Sequence, residues 1–502
     1  MPVGKLCGRS NASSFRIRSA KDAVYWKADK EFVMYFKPYY LGCLAHASYL
    51  IGGDSGEAAV IDPRRDVDEY IQDAVAAGLQ IKHVIETHLH ADFVSGHVEL
   101  ARRTGATIYI GAAAEAAFCH HPVCEGDAIV MGDVTLRFLE TPGHTPESIC
   151  VLLFVGGEAK PRMVFTGDTL FIGDVGRPDL VGSKGFTAEE MARQMYRSLA
   201  DKLLSLPDST EVWPAHGAGS ACGRALADER SSTLARERAF NPALRYVIEG
   251  DEEGFVRYAI SGLPPVPAYF AQSALENRLG APSVEEVVSA ARALAPPEVE
   301  ELSEEGILVL DTRSVEAFGA GHVPGAIHVQ LEGKFAPWVG NVVPPGSTVI
   351  VVAEPGRELE AMTRLARVGY ERIVGWLEGG MEAWRKAGGE VVIVRQVTPE
   401  ELRQMMATGT APAILDVRAA DEWEASHLPG AQWIPLPELP SRVEEVDQAD
   451  VLVLCGSGYR SSIACSLLQR AGYRNVMNLA GGWEAWEQTQ RIPPEKKRVT
   501  AR

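Results

Sequence analysis

"THLHADF" (87–93) is the stretch that decides the fold of the first half of the chain. It closes a strand-like run, "HVIETH" (83–88), so its histidines and aspartate fall just past a strand end, where an α/β sheet exposes groups to a ligand. Working outward, the same placement recurs. "AAVID" (58–62), "ATIYIG" (106–111), "VTLRFLETPGH" (134–144), "RMVFTGD" (162–168) and "EVWPAH" (211–216) read as strands or strand ends. "VSGHVELARRTG" (94–105) and "TAEEMARQMYRSLADKLLSL" (187–206) read as helices. His88, His144 in "TPGHT", Asp168 in "FTGDTL" and His216 in "PAHG" thus occupy loops after successive strands, and imidazoles and carboxylates so placed can converge on one metal. A single histidine is ordinarily a satisfied polar group. Four such motifs in this order, beside an early "VIDP" (60–63), are not explained that way.

The chain has 502 residues, enough for two to four domains, each with its own core. No apolar run approaches the roughly 20 residues of a membrane helix. A formal charge of -18 argues against a nucleic-acid surface and against anionic lipid. The expectation is a well-solvated cytoplasmic protein with neither nucleic acid nor membrane as partner, in which a small anionic substrate needs a local positive pocket. The eight cysteines, with no CxxC pair, suit a reducing compartment and one or two working thiols. Residues 1–21 are basic and free of acids, a composition weakly like a transit peptide, but 1–33 is expected to be a disordered extension, or a misplaced start, ahead of the strand-like "MYFKPYY" that Met34 opens. "SGLPPVPAYF" (261–270) reads as an ordered, proline-rich extension.

From about residue 283 the chain repeats itself. "LVLDTRSVEAFGAGHVPGAIHV" (308–329) matches "AILDVRAADEWEASHLPGAQWI" (413–434), and "VGYERIVGWLEGGMEAW" (368–384) matches "AGYRNVMNLAGGWEAW" (471–486). Two related α/β domains follow, joined near Arg395. In the second copy, "VLVLCGSGYRSS" (451–462) is an apolar strand, a glycine-containing loop opened by Cys455, and a helix. Such a loop turns N–H groups inward and sets the sulfur near a helix N-terminus, which favours a thiolate, and Arg460 adds a fixed charge. The first copy has "VIVVAEPGRELE" (349–360): Ala353 stands where the nucleophile should be, the loop is one residue shorter, and Glu354 brings a negative charge. No thiolate is available there.

Residues 34–245 resemble the metallo-β-lactamase superfamily, and 396–490 resemble rhodanese. The resemblance implies an αββα sandwich followed by two rhodanese-like α/β domains. The divisions are a 1–33 extension, a 34–282 first domain, a 283–395 pseudo-rhodanese, a 396–490 catalytic rhodanese and a 491–502 tail. Two-metal hydrolases of the superfamily have Asp-His where this chain has Asp92-Phe93. Phenylalanine cannot ligate, so the second site is expected to be broken, leaving Asp92 and His216 without their partner. The first keeps His88, His144 and Asp168, the two-histidine, one-carboxylate set of non-haem Fe(II) oxygenases. The domain order is similar to bacterial persulfide dioxygenase–rhodanese fusions. That implies one Fe(II) per chain, oxidation of a low-molecular-weight thiol persulfide by O2 to sulfite, then transfer of sulfane sulfur through Cys455 and Arg460 to give thiosulfate. The carrier thiol is left open, and a homo-oligomer, dimer or tetramer, is implied.

"LFIGDVGRPDL" (170–180) aligns Arg177 and Asp179 with the substrate side of that family's site, so Arg177 is a candidate to hold a carboxylate of the carrier thiol, or else part of a surface ion pair. Cys222, in "HGAGSACGR", is either a sulfur-relaying thiol or a small buried hydrophobe. His46 either reaches the cleft or belongs to the core. Rival functions are a glyoxalase II-type thioester hydrolase and a non-oxidative sulfur carrier.

Overall fold

The run Ile149–Val155, ICVLLFV, offers apolar side chains to both faces of a sheet, so it must be covered twice. Ile149, Val151 and Leu153 face a core shared with Ala59, Ile61 and Ile85 of a second sheet. Cys150 and Leu152 face the other way, onto a layer of helices that supplies Met195, Leu234, Leu244 and Phe255. The second sheet is buried in the same manner. Its Val60 and Val84 turn outward under Tyr70, Ala74 and Leu100 of two further helices. Helix, sheet, sheet and helix layers therefore stack as the expected αββα sandwich.

The computed structural model describes residues 24–27, 33–180, 185–224, 226–263, 265–446 and 450–491. The chain divides into two compact units, Met1–Val266 with Ser273–Ala281, and Pro267–Gln272 with Pro282–Arg502. In the first, seven strands pair in sequence order. Val24–Lys27, Val33–Leu41, His46–Gly52 and Glu57–Ile61 are antiparallel, and Gln80–Ile85, Thr107–Gly111 and His121–Val123 continue in parallel. The partner sheet has six strands in the order Ser232–Thr233, Glu211–Pro214, Met163–Gly167, Ile149–Val155, Val134–Glu140, Ala128–Met131.

Two expectations need correction. Within the stretch read as a disordered extension, Val24–Lys27 is an edge strand paired with Val33–Leu41; residues 1–23 and 28–32, like 492–502 of the tail, lie outside the described residues. The single helix read over 187–206 is a helix at Ala188–Arg197, capped by Thr187 and Glu190, that relaxes into wider and then tighter turns through Ser205.

The second unit makes the repeat visible. Its first sheet runs Arg292–Leu294, Ile373–Leu377, Val349–Val352, Leu308–Asp311, Ile327–His328, and its second runs Arg395–Val397, Val476–Leu479, Val451–Leu454, Ala413–Asp416, Gln432–Trp433, all pairs parallel. The middle strand of each sheet, Val349–Val352 and Val451–Leu454, is wholly buried, as a parallel sheet covered on both faces requires. Among the described residues no helix is long and apolar enough to cross a membrane.

Candidate metal centre and sulfur-transfer loop

His88, His144 and Asp168 each stand just past a strand end, and all three are buried with ligand atoms within 4.8 Å of one another. Hydrogen bonds fix which nitrogen each ring offers. The Thr87 hydroxyl gives its one proton to Asp62 Oδ2 (2.9 Å), so it can only accept from His88 Nδ1 (3.0 Å). The Arg177 carbonyl likewise accepts from His144 Nδ1 (2.8 Å). Both rings therefore turn a bare Nε2 towards Asp168 Oδ2, at 3.8 and 3.5 Å. Gly176 permits this: a Cβ there would sit 1.9 Å from the Asp168 carbonyl oxygen.

Neither Nε2 nor either Asp168 carboxylate oxygen has a hydrogen-bond partner, although all are buried. An unsatisfied buried polar atom costs about 1–3 kcal/mol, and a cation held among these atoms removes that cost. Burial drives His88 well below the ordinary histidine range, aided by His90 and His144, and pushes His144 down to about 4 against the pull of the Arg177 carbonyl. Burial raises Asp168 to about 6, although His216 and His90 act the other way. Neutral imidazoles are ligand-ready, and a cation restores the carboxylate's charge. The residues thus fit a metal ion with open positions.

The second cluster differs from the expectation. His216 Nε2 lies 3.5 Å from Asp92 Oδ2 and 3.6 Å from Asp168 Oδ1. His90, which the motif offered by its alternate position and which sequence reasoning passed over, lies within 4.8 Å of Asp92 and His216. Asp92 and His216 therefore do have a third group beside them. His90 Nε2 also lies 3.2 Å from Asp62 Oδ1 and 3.6 Å from Glu86 Oε2, ion-pair approaches that leave neither ring nitrogen with a hydrogen-bond partner. Burial alone would lower His90, but Asp62, Glu86 and Asp92 push it up to about 9. Phe93 is fully buried against His46, whose ring centroid is 4.1 Å away. His46 is thus buried at the cluster's edge, which joins the two readings left open for it.

Asn277 was not legible at all. It is buried on the helix Phe270–Leu279, where its Nδ2 donates to the His90 and Phe93 carbonyls (2.7 Å each) and its Oδ1 accepts from Ser95 N (2.7 Å). One side chain thereby fastens the ligand loop across 90–95.

Arg177 is 1% exposed, and its fork donates to Asp179 at 2.7 and 2.8 Å and to the Ala221 carbonyl at 3.1 Å. The geometry is that of a buried ion pair, and the fork offered to a substrate carboxylate is taken. Cys222 is buried with its sulfur grouped with Asp168 and His216. Burial and then the charges of Asp92 and Asp168 hold its thiol well above the usual range.

In the second unit, Cys455 Sγ accepts from Gly458 N (3.1 Å) and from the Ser461 hydroxyl (3.3 Å) at the start of the helix Tyr459–Arg470. Gly482, with φ of 57°, lets the following chain close over the loop; a Cβ there would sit 2.4 Å from the Cys455 carbonyl oxygen. Arg460 is bound in a fork to Glu422 at 2.6 and 2.7 Å, which holds Glu422 below the usual carboxylate range. Asp416 binds Arg418 in both copies' shared fashion, as Asp311 binds Arg313, so that motif is structural. In the first copy Ala353 occupies the nucleophile position, and Arg357 is held by Glu332 and Glu360.

The metallo-beta-lactamase superfamily model matches residues 41–216, and the rhodanese-like domain model matches 295–387 and 398–489. A crystal structure of a metallo-beta-lactamase from Staphylococcus aureus superposes with a TM-score of 0.61 at 36% identity, over 68% of this chain and 98% of that one. A protein named as a probable metallo-hydrolase from Burkholderia pseudomallei is 30% identical over 46% of this chain and 87% of its own. A cytoplasmic hydroxyacylglutathione hydrolase from Arabidopsis thaliana is 34% identical over 36% of this chain and 67% of its own.

Proposed function

The chain belongs to the metallo-β-lactamase superfamily through its first domain and carries two rhodanese-like domains behind it, and on that premise we propose that it is a persulfide dioxygenase coupled to a sulfurtransferase. The observation that carries the reading is the donor set itself. Two neutral imidazoles and one carboxylate, His88, His144 and Asp168, meet with bare ligand atoms, and Phe93 stands where a further histidine would complete a hydrolase's metal pair. That is the donor set of non-haem iron(II) oxygenases. Iron(II), when bound, supplies the one-electron chemistry by which dioxygen reacts with a closed-shell sulfur anion.

The chain's own residues do the rest. Thr87 and the Arg177 carbonyl lock the two rings, Phe93 and His46 make one wall dry, and Cys222 sets a thiol beside Asp168. Overall, a persulfide, dioxygen and water give the free thiol, sulfite and two protons. In the second unit the Cys455 thiolate attacks the outer sulfur of another persulfide and the carrier leaves as thiolate. Sulfite then attacks that sulfur, the S–S bond breaks towards Cys455, and thiosulfate departs. Gly458 N–H and the Ser461 hydroxyl are placed to stabilise the departing thiolate.

Thioester hydrolysis is the second reading. The cluster His90, Asp92 and His216 and the kinship to a hydroxyacylglutathione hydrolase favour it; the ion-pair approach of Asp62 and Glu86 to His90 disfavours a second metal. Metal analysis of anaerobically purified protein separates the two. Iron near one per chain supports the dioxygenase, and two zinc ions per chain overturn it.

A further inference from the structure

The copy without a nucleophile is built into the helix that presents Cys455. Along Tyr459–Arg470, residues 459, 462, 466 and 470 lie on one face, and each bonds to the segment 325–330 of the first copy. Tyr459 donates to the Gln330 carbonyl (3.1 Å), Ser466 Oγ accepts from His328 N (3.0 Å), and Arg470 donates to the Gly325 carbonyl (2.8 Å). At the centre the Ser462 hydroxyl meets His328 Nδ1 at 2.9 Å.

The repeat shows what is unusual about His328. Its counterpart in the second copy is Trp433, whose Nε1 donates to the Arg418 carbonyl (3.0 Å), just as His328 Nε2 donates to the Arg313 carbonyl (2.9 Å). Holding that carbonyl therefore needs no histidine. What histidine adds is a second nitrogen. Because Nε2 carries the proton, Nδ1 is a bare acceptor for Ser462, and burial keeps the ring neutral with its pKa pushed down to about 4. Ser462 N in turn donates to the Gly458 carbonyl, while Gly458 N and Ser461 donate to Cys455 Sγ. Anchoring Ser462 thus fixes the turn whose donors face the sulfur.

We propose that His328 is a positioning residue for Cys455, which makes the inert copy a structural part of the transfer centre. The proposal rests on Cys455 being the transfer thiol, but its first readout does not. The rate at which a small alkylating reagent modifies Cys455 in the full chain is followed against pH by peptide mass spectrometry, in the parent and in His328→Ala, Ser462→Ala, His328→Asn and His328→Gln. Losing one net hydrogen bond of this kind is worth about five-fold. The two alanine variants should shift the alkylation profile to higher pH and slow modification at neutral pH by about that factor, and the double variant should be no worse than either. Asparagine keeps an acceptor at the Nδ1 position and should restore the profile; glutamine keeps only the donor towards Arg313 and should not. Sulfur transfer from thiosulfate to cyanide should fall in the same order. Unchanged alkylation profiles in both alanine variants overturn the proposal. So do asparagine and glutamine variants that behave alike, because that is the mark of a merely structural histidine.

Discussion

Replacing Asn277 with alanine removes three hydrogen bonds from the metal-ligand loop in one step. Two carbonyls, of His90 and Phe93, and one amide, of Ser95, lose partners at 2.7 Å in a buried setting. Each orphaned group costs about 1–3 kcal/mol, and water entering the space left by the side chain recovers part of it, so the total should be about 3 kcal/mol. The loop carries His88 and Asp92, so roughly half of that should appear as weaker metal retention, a loss of about ten-fold at 1.4 kcal/mol per decade. The rest should appear as a fall in Tm of the order of 3–6 °C, the scale for a unit of this size. The assay is the rate of metal loss to a chelator, with Tm measured on the metal-free and metal-loaded protein. Asn277→Asp sharpens it: the size is kept, both donors are lost, and a carboxylate faces two carbonyl oxygens, so this variant should lose metal faster than alanine does. Chelator rates and Tm equal to the parent in Asn277→Ala would refute the view that this amide holds the loop.

Cys455→Ser should keep oxygen uptake with a persulfide but accumulate sulfite where the parent makes thiosulfate, read at early times by sulfite and thiosulfate assay; a hydroxyl has no accessible anion near neutral pH and cannot carry sulfane sulfur. Ala353→Cys should not create a second transfer site, because the loop there is one residue short and Arg357 is bound to Glu332 and Glu360; persulfide at residue 353 detected by mass spectrometry would contradict this. Stability of the second unit to urea should fall as pH drops from about 6.5 towards 4. Burial lowers His328 in the fold, with Asp311 and the Arg313 carbonyl opposing and His322 and Arg313 assisting, so between these values the unfolded chain binds the extra proton and stability rises with pH. The full effect is about 3 kcal/mol, and His328→Asn should remove that part of the slope.

Much of the candidate site was legible because its residues sit in short motifs that directly follow apolar strand-like runs, and those runs are readable from their pattern. His88, His144, Asp168 and His216 were all placed this way. His90 was not, because an alternating histidine reads equally as ligand or as core, and only the fold brings Asp62 and Glu86 beside its Nε2. Asn277 carries no local signal, since its role depends on a helix folding back over a loop far earlier in sequence. Arg177 was singled out by its motif, but a fork that could hold a substrate carboxylate can equally hold Asp179, and spacing does not choose between them. The two repeats were plain in sequence, whereas the difference between His328 and Trp433 gained meaning only once Ser462 was beside one of them.

The central claim is tested most directly by oxygen consumption. Iron-loaded protein given a thiol persulfide, with glutathione and coenzyme A carriers compared, should consume one dioxygen for each sulfite formed, counting sulfite recovered as thiosulfate. Asp168→Ala should abolish that uptake while leaving thiosulfate-dependent sulfur transfer by Cys455 intact. Thioester hydrolysis by the same preparation, with no oxygen uptake on any persulfide, would contradict the account.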